Sequence, residues 1–359
     1  MRLTGWLRGS KGIQSEVFET LRSTYLKPFE LLTQRGKNRR LRTLAFQAVQ
    51  AYDLDINEIR LLGNFTNTLF KARSGNGEKF LLRACKPGWR TETDLYSEFK
   101  WLEYLNEQSN IPVPCPKWTR NGMAWMDVPI VDSAQTQRFM LMSWMPGKSL
   151  ENQLTPENLE KMGKLFAQLH RASLGFEAPS GFTTRRMSSI FARGEEVHLF
   201  LPEILQLLPA DHRAILEQTF QKVLDAYSQR YATMDGLRVI HHDLWHGNIK
   251  KCRGELFPLD FEDTVWGYPV QDIAMAIQDL MSDVIPQDFE LLLTAFRNGY
   301  ETLENWPETY PGELDIFRAG RMLWVANYIV RFEREYFVGY IAQITNLLER
   351  FLHTGKLRK

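Results

Sequence analysis

Between Val239 and Asp260 the chain reads Val-Ile-His-His-Asp-Leu-Trp-His-Gly-Asn-Ile-Lys-Lys-Cys-Arg-Gly-Glu-Leu-Phe-Pro-Leu-Asp, and this stretch restricts the fold more than any other. It interrupts a second half that is otherwise patterned for helices, replacing their periodicity with short strand-like runs. An apolar run ends at His241, Asp243 follows just past it, Asn248 comes five positions later, and Asp260 closes a hairpin-like segment. That order brings two carboxylates and an amide oxygen to one place. Hard oxygen donors of this kind suit a magnesium-bound triphosphate, and a carboxylate after the strand can accept a hydroxyl proton and aim the nucleophile. Taken singly, Asp243 and Asn248 are ordinary turn residues and Asp260 an ordinary helix cap. Their joint spacing, with strands on either side, points to phosphoryl transfer.

The periodicities on either side divide the chain. Residues 1–57 form a predicted helical N-terminal extension, in which Val17, Phe18, Leu21, Tyr25, Phe29 and Leu32 recur at helical spacing and a second helix follows near Thr43–Tyr52. The basic run Arg35–Arg42 between them reads as a solvated connector with helix-end cations, not as a site for nucleic acid or lipid. Residues 58–146 form a predicted sheet. Its strands are Glu58–Gly63, Thr68–Ser74, Lys79–Cys85 and Phe139–Trp144, with Asn76-Gly77 as the strongest hairpin signal, a helix over Thr93–Gln108 and a further hairpin around Asn121-Gly122. Residues 147–359 are mainly helical. Thr155 caps a helix with Pro156 at its first position, Leu159, Met162, Phe166 and Leu169 mark its buried stripe, and helical patterns recur over Ile215–Arg230, Asp288–Leu303 and Leu314–Phe351. The predicted class is α+β, a small sheet lobe with one helix followed by a larger helical lobe, with ligand in the cleft between them.

Composition narrows the function classes. Lys and Arg total 44 against 43 Asp and Glu, so no global charge steers the chain toward nucleic acid or an anionic membrane. Cys85, Cys115 and Cys252 form no paired motif, which argues against a disulfide framework or a zinc site and makes a reducing cytoplasm the expected setting. No run approaches the length of a membrane span, and no long apolar stretch follows the basic start, so no signal peptide is expected. The oligomeric state is left open.

His241-His242-Asp243-Leu244-Trp245-His246-Gly247-Asn248 and Leu259-Asp260-Phe261-Glu262-Asp263 together resemble the signature of the aminoglycoside phosphotransferase and choline kinase family. That family has a protein-kinase-like fold and includes type II homoserine kinases and a bacterial stress-response Ser/Thr kinase. By order of elements the resemblance covers roughly Leu44 to Arg350. It implies dependence on ATP and Mg2+, with Asp243 as catalytic base and Asn248 and Asp260 as metal ligands. Trp245 and His246 depart from it, since members commonly carry His and Pro there. Glu262 stands where protein kinases have Gly, an exchange the family often shows, and no protein-kinase activation segment follows. Asp272 resembles a family position that braces the catalytic loop; a plain acid at a helix N-terminus is the equal alternative.

The same resemblance places Lys or Arg of the third strand against the nucleotide's α- and β-phosphates, which selects Arg83, with Lys86 as the fallback. In the next helix Leu95, Phe99, Leu102 and Leu105 define a buried face, and Glu98 shares it. A carboxylate there needs a partner, and pairing with Arg83 supplies one. The turn containing Asn64, Thr66 and Asn67 is expected to cover the phosphates. By family analogy the backbone at Ser143 and Met145 is expected to meet adenine. His170 reads as an ordinary helix C-terminal residue, and the aromatic group Trp306, Tyr310, Trp324, Tyr328 and Tyr336 as core. The leading expectation is transfer of phosphate to a small-molecule hydroxyl acceptor, without nucleic acid or membrane partners. A Ser/Thr protein kinase of the stress-response type and a non-catalytic nucleotide-binding regulator remain as alternatives.

Overall fold

Alternating apolar residues build the first sheet. Ile59, Phe70, Ala72, Phe80, Leu82 and Phe139 have essentially no exposed surface and come from four antiparallel strands. In the computed structural model, which describes residues 27–357 apart from 132, 134, 184 and 193, these strands belong to one sheet of order β1-β2-β3-β5-β4. Its members are β1 (Ile56–Asn64), β2 (Thr68–Ser74), β3 (Lys79–Ala84), β4 (Met126–Pro129) and β5 (Thr136–Ser143). Helix α1 (Gln34–Ala48) lays Leu41, Leu44, Ala45 and Ala48 into the same apolar core.

The basic run Arg35–Arg42 is therefore helical, not a connector as expected. Thr33 accepts a hydrogen bond from Gly36 N–H as its N-cap, and the buried stripe of α1 supplies the tertiary packing that local charge patterning does not reveal. The expected helix through Val17 to Leu32 lies mostly outside the described residues; Phe29–Leu31 is a single 3-10 turn.

By packing, the described residues up to Thr91 together with those of Cys115–Trp144 form one compact unit, and Glu92–Pro114 together with the described residues from Met145 form a second. Helix α2 (Glu92–Gln108) thus belongs with the helical part, where it packs on the turn Phe261–Asp263. The other long helices of that unit among the described residues are α3 (Pro156–Ala172), α4 (Ala210–Tyr231), α5 (Pro269–Asp283), α6 (Pro286–Glu301), α7 (Glu313–Phe332) and α8 (Phe337–Thr354). The helical pattern predicted over Leu314–Phe351 is two helices, broken at Glu333 by a 3-10 turn. Small strands frame the motif: β7 (Arg238–Ile240) pairs with β10 (Val265–Gly267), and β8 (Ile249–Cys252) lies between β6 (Lys148–Ser149) and β9 (Glu255–Pro258).

Thr155 caps α3 as expected, accepting from Asn158 N–H at 3.3 Å. Helices α3 and α6 approach backbone to backbone. A Cβ on Gly163 would run into the carbonyl oxygen of Phe296, and one on Gly299 into that of Glu160. Neither obstacle is a flexible side-chain end, so one added carbon must push the helices apart. Gly163→Ala is expected to destabilise the protein by about 2 kcal/mol, read as a lower urea midpoint, with Gly299→Ala behaving alike.

Candidate active site

The second unit brings the motif together around one buried carboxylate. Helix α5 is buried on nearly all sides, and Asp272 lies in its first turn with 1% of its surface exposed. Its Oδ1 accepts from His242 N–H at 2.7 Å and its Oδ2 from His241 N–H at 3.2 Å. The Nε2 of His170, at the end of α3, lies 3.0 Å from the same Oδ2, and Tyr300 OH lies 3.1 Å from His170 Nδ1. Burial alone would raise the Asp272 pKa; the hydrogen bond and charge of His170, then His241 and the His242 N–H, outweigh it and hold the group below its ordinary value.

His170 was not singled out from the sequence as functional. The signal was its place on the buried stripe of α3, where a polar ring needs a partner.

This clamp sets the loop that carries Asp243. His242 adopts a left-handed backbone, φ 63°, which costs about 1 kcal/mol or more and persists where surrounding bonds over-determine it. His241 is buried and bridges two segments. Its Nε2 donates to Leu259 C=O at 2.9 Å, and its Nδ1 accepts from Asp243 N–H at 3.2 Å. That pairing requires the neutral ring, and burial does lower its pKa despite the opposing charge of Asp272.

Asp243 and Asn248 are both half-buried and in contact. Asn248 Nδ2 donates to the Asp243 backbone oxygen at 2.8 Å and to its Oδ2 at 2.9 Å. With its NH2 spent on Asp243, the amide oxygen of Asn248 points the other way. Asn248 C=O accepts from Leu259 N–H at 2.8 Å, so the residue before Asp260 is tied to Asn248 as well as to His241. Asp260 is exposed and left-handed, φ 60° and ψ 61°, a conformation that Asp and Asn tolerate better than most residues.

Among the described residues no group of three or more His, Cys, Asp or Glu could hold a metal by itself. An amide and a carboxylate fit magnesium, which takes few protein oxygens and completes its shell with phosphate and water.

The loop's departures from the family pattern also have a structural basis. His246 is fully buried and its Nε2 lies 2.9 Å from Asp283 Oδ2, joining the loop to the end of α5. A Cβ on Gly247 would collide with the Trp245 ring, so glycine lets the indole fold over the loop.

The remaining expected residues divide between the units. In the first, Arg83 is buried on β3, with its guanidinium 3.1 Å from Met140 Sδ. Asn67 Oδ1 accepts from Lys86 N–H at 2.9 Å, which fastens the turn to the end of β3, while Asn64 and Thr66 are exposed. Ser143 N–H donates to Cys115 C=O, and its hydroxyl accepts from Cys115 N–H, each at 2.8 Å. In the second unit Glu98 is buried on α2, and Met145 C=O accepts from Lys250 Nζ at 3.1 Å. Of the aromatic group expected as core, Tyr328 and Tyr336 are exposed. Arg318 and Arg321 form ion pairs with Asp315 and Asp279.

A profile of the phosphotransferase enzyme family matches residues 58–311. Amicoumacin kinase of Bacillus subtilis (strain 168) is 22% identical over 263 residues, covering 71% of this chain and 74% of that protein. Among solved structures, an amicoumacin kinase in complex with AMP-PNP, Ca2+ and Ami superimposes with a TM-score of 0.70 at 16% identity, covering 90% of this chain and 97% of that one. A microcompartment-associated aminopropanol kinase gives 0.70 at 20% identity, covering 88% and 99%. The chain belongs to the phosphotransferase enzyme family, with its α+β, protein-kinase-like fold. It is accordingly a phosphotransferase enzyme, a kinase.

Asp272→Asn would place an NH2 against backbone N–H donors. It is expected to cost about 3 kcal/mol, the usual loss when one partner of a buried polar set is removed. Because the folded pKa of Asp272 lies below its unfolded value, its stabilisation is complete above about pH 4 and is lost as pH falls through the lower folded value. Acid unfolding of the variant should be correspondingly flatter in that range.

Proposed function

We propose that the protein moves the γ-phosphate of ATP, with magnesium, to a hydroxyl of a small molecule. The observation that carries this reading is the Asp243–Asn248 pair, bonded side chain to side chain and tied through Leu259 to the residue before Asp260. Asp243 accepts the acceptor's hydroxyl proton and aims its oxygen. Asn248 and Asp260 hold the cation, which when bound neutralises developing phosphate charge. Arg83 steadies the α- and β-phosphates. The turn of Asn64, Thr66 and Asn67 covers them, and the backbone at Ser143 and Met145 meets adenine. A relative solved with AMP-PNP supports a nucleoside triphosphate donor, and relatives named for amicoumacin and aminopropanol support a small acceptor.

Purified protein given magnesium and labelled ATP should label a member of a metabolite pool. Asp243→Ala should lower that rate by about 10²- to 10⁴-fold while a fluorescent nucleotide still binds. Label confined to proteins, or no acceptor labelled at all, overturns the proposal. Asp260→Asn keeps a residue that tolerates the left-handed backbone, so it should retain the wild-type unfolding midpoint and require higher magnesium for half-maximal rate. A lowered midpoint would instead make Asp260 structural.

A further inference from the structure

A cavity of about 30 Å³ lies beside the catalytic loop within the second unit, its walls including His242, Met187, Ile190, Met275, Phe317 and Gly320. His242 on the cavity wall immediately precedes Asp243, the proposed base, in the chain.

Of its polar lining groups Gln271, Arg321 and Trp324 are engaged elsewhere, Trp324 Nε1 donating to Glu195 at 3.2 Å, and the buried Tyr227 adds one hydroxyl. Gln271 accepts from Tyr268 N–H through Oε1 and donates to Met187 C=O through Nε2, each at 2.9 Å. Arg321 donates to both oxygens of Asp279, at 3.2 and 2.9 Å, and lies 4.4 Å from the centre of the Trp324 ring. Burial alone would lower the Arg321 pKa, but Asp279 first and then Asp243 raise it, so the cation is kept and neutralised in place. A trapped water needs two to four polar partners, and an ammonium needs carboxylates. A single phenol hydroxyl meets neither demand, whereas methionine, isoleucine and phenylalanine surfaces suit hydrocarbon.

We propose that this cavity takes a small uncharged apolar branch of the acceptor alcohol, about one or two carbons in size, and that Gly320 sets its depth. The inference rests on the proposed small-molecule acceptor and narrows it: the group beside the reacting hydroxyl is hydrocarbon. A Cβ on Gly320 would stand 3.0 Å from Val223 Cγ1 and 3.7 Å from Ile190 Cγ1, which brings side-chain bulk to the cavity wall.

The test uses full-length protein carrying 13C-methyl methionine, with Met187 and Met275 assigned through Met187→Leu and Met275→Leu. Ethylene glycol, propylene glycol, glycerol and kanamycin are titrated in turn. Propylene glycol should move both methyl resonances, while ethylene glycol, glycerol and the polycationic kanamycin leave them nearly still. In coupled ADP-release assays kcat/KM should favour propylene glycol over ethylene glycol by about three- to tenfold. Gly320→Ala should remove both preferences, and Ile190→Val, a milder change that widens the same space, should keep the methyl response. Equal shifts with all four compounds, a response to kanamycin alone, or indifference to Gly320→Ala overturns the assignment. The methyl shifts report the cavity with or without turnover, so this test stands or falls separately from phosphate transfer.

Discussion

The second unit is organised around the ionised carboxylate of Asp272 inside a helix that is otherwise packed on nearly every side. Removing such a charge from water costs several kcal/mol, and that cost is offset only by short, well-directed donors. Asp272 meets backbone N–H groups of two consecutive residues, His241 and His242, and the ring of His170. Two adjacent N–H groups can converge on one carboxylate only if the chain between them turns sharply. The left-handed φ of His242 is that turn. The strain just before Asp243 is thus a consequence of the helix-borne acid, and the loop's shape is fixed from below by α5 and α3 before any ligand arrives. The close packing of α3 on α6 through Gly163 and Gly299 then matters to the site, because α3 carries His170 and α6 carries Tyr300.

Much of this was legible in the residues. Strands with period-two alternation, the Asn76-Gly77 hairpin and the Thr155-Pro156 cap are local signals, and local chemistry decided them. The Asp243 and Asn248 contact was also legible, since five residues through a tight turn leave few places for the amide to go. What could not be read was anything set by packing at a distance. His170 looked ordinary because its partner lies 102 residues away in sequence. The run Arg35–Arg42 looked like a connector because its cations masked a stripe of Leu41, Leu44, Ala45 and Ala48. Helix α2 read as part of the sheet lobe because it interrupts the strands in sequence, yet it packs with the helical unit.

Trp245 and His246 show how a departure from a family pattern can be absorbed locally. A residue at the His246 position must enter the packed interior, and an imidazole there needs a partner; Asp283, at the end of α5, provides it. The indole of Trp245 in turn needs the missing side chain at Gly247. The His246–Asp283 pair fastens the segment between Asp243 and Asn248 to the helix that already carries Asp272, so the loop has anchors at both ends of one helix.

The protonation state of His241 links this scaffold to chemistry. Its ring donates at Nε2 to Leu259 and accepts at Nδ1 from Asp243 N–H, so only the neutral form satisfies both bonds. An imidazolium would add a donor where a backbone donor already points, and would place a positive charge beside the carboxylate expected to accept a proton. A nearby cation lowers a carboxylate's affinity for protons, which is the wrong direction for a base. Burial resolves the conflict by disfavouring the charged ring, even with Asp272 close by to attract it. The bonds by which His241 shapes the loop thus require the same neutral ring that burial favours, and geometry and electrostatics beside Asp243 meet in one residue.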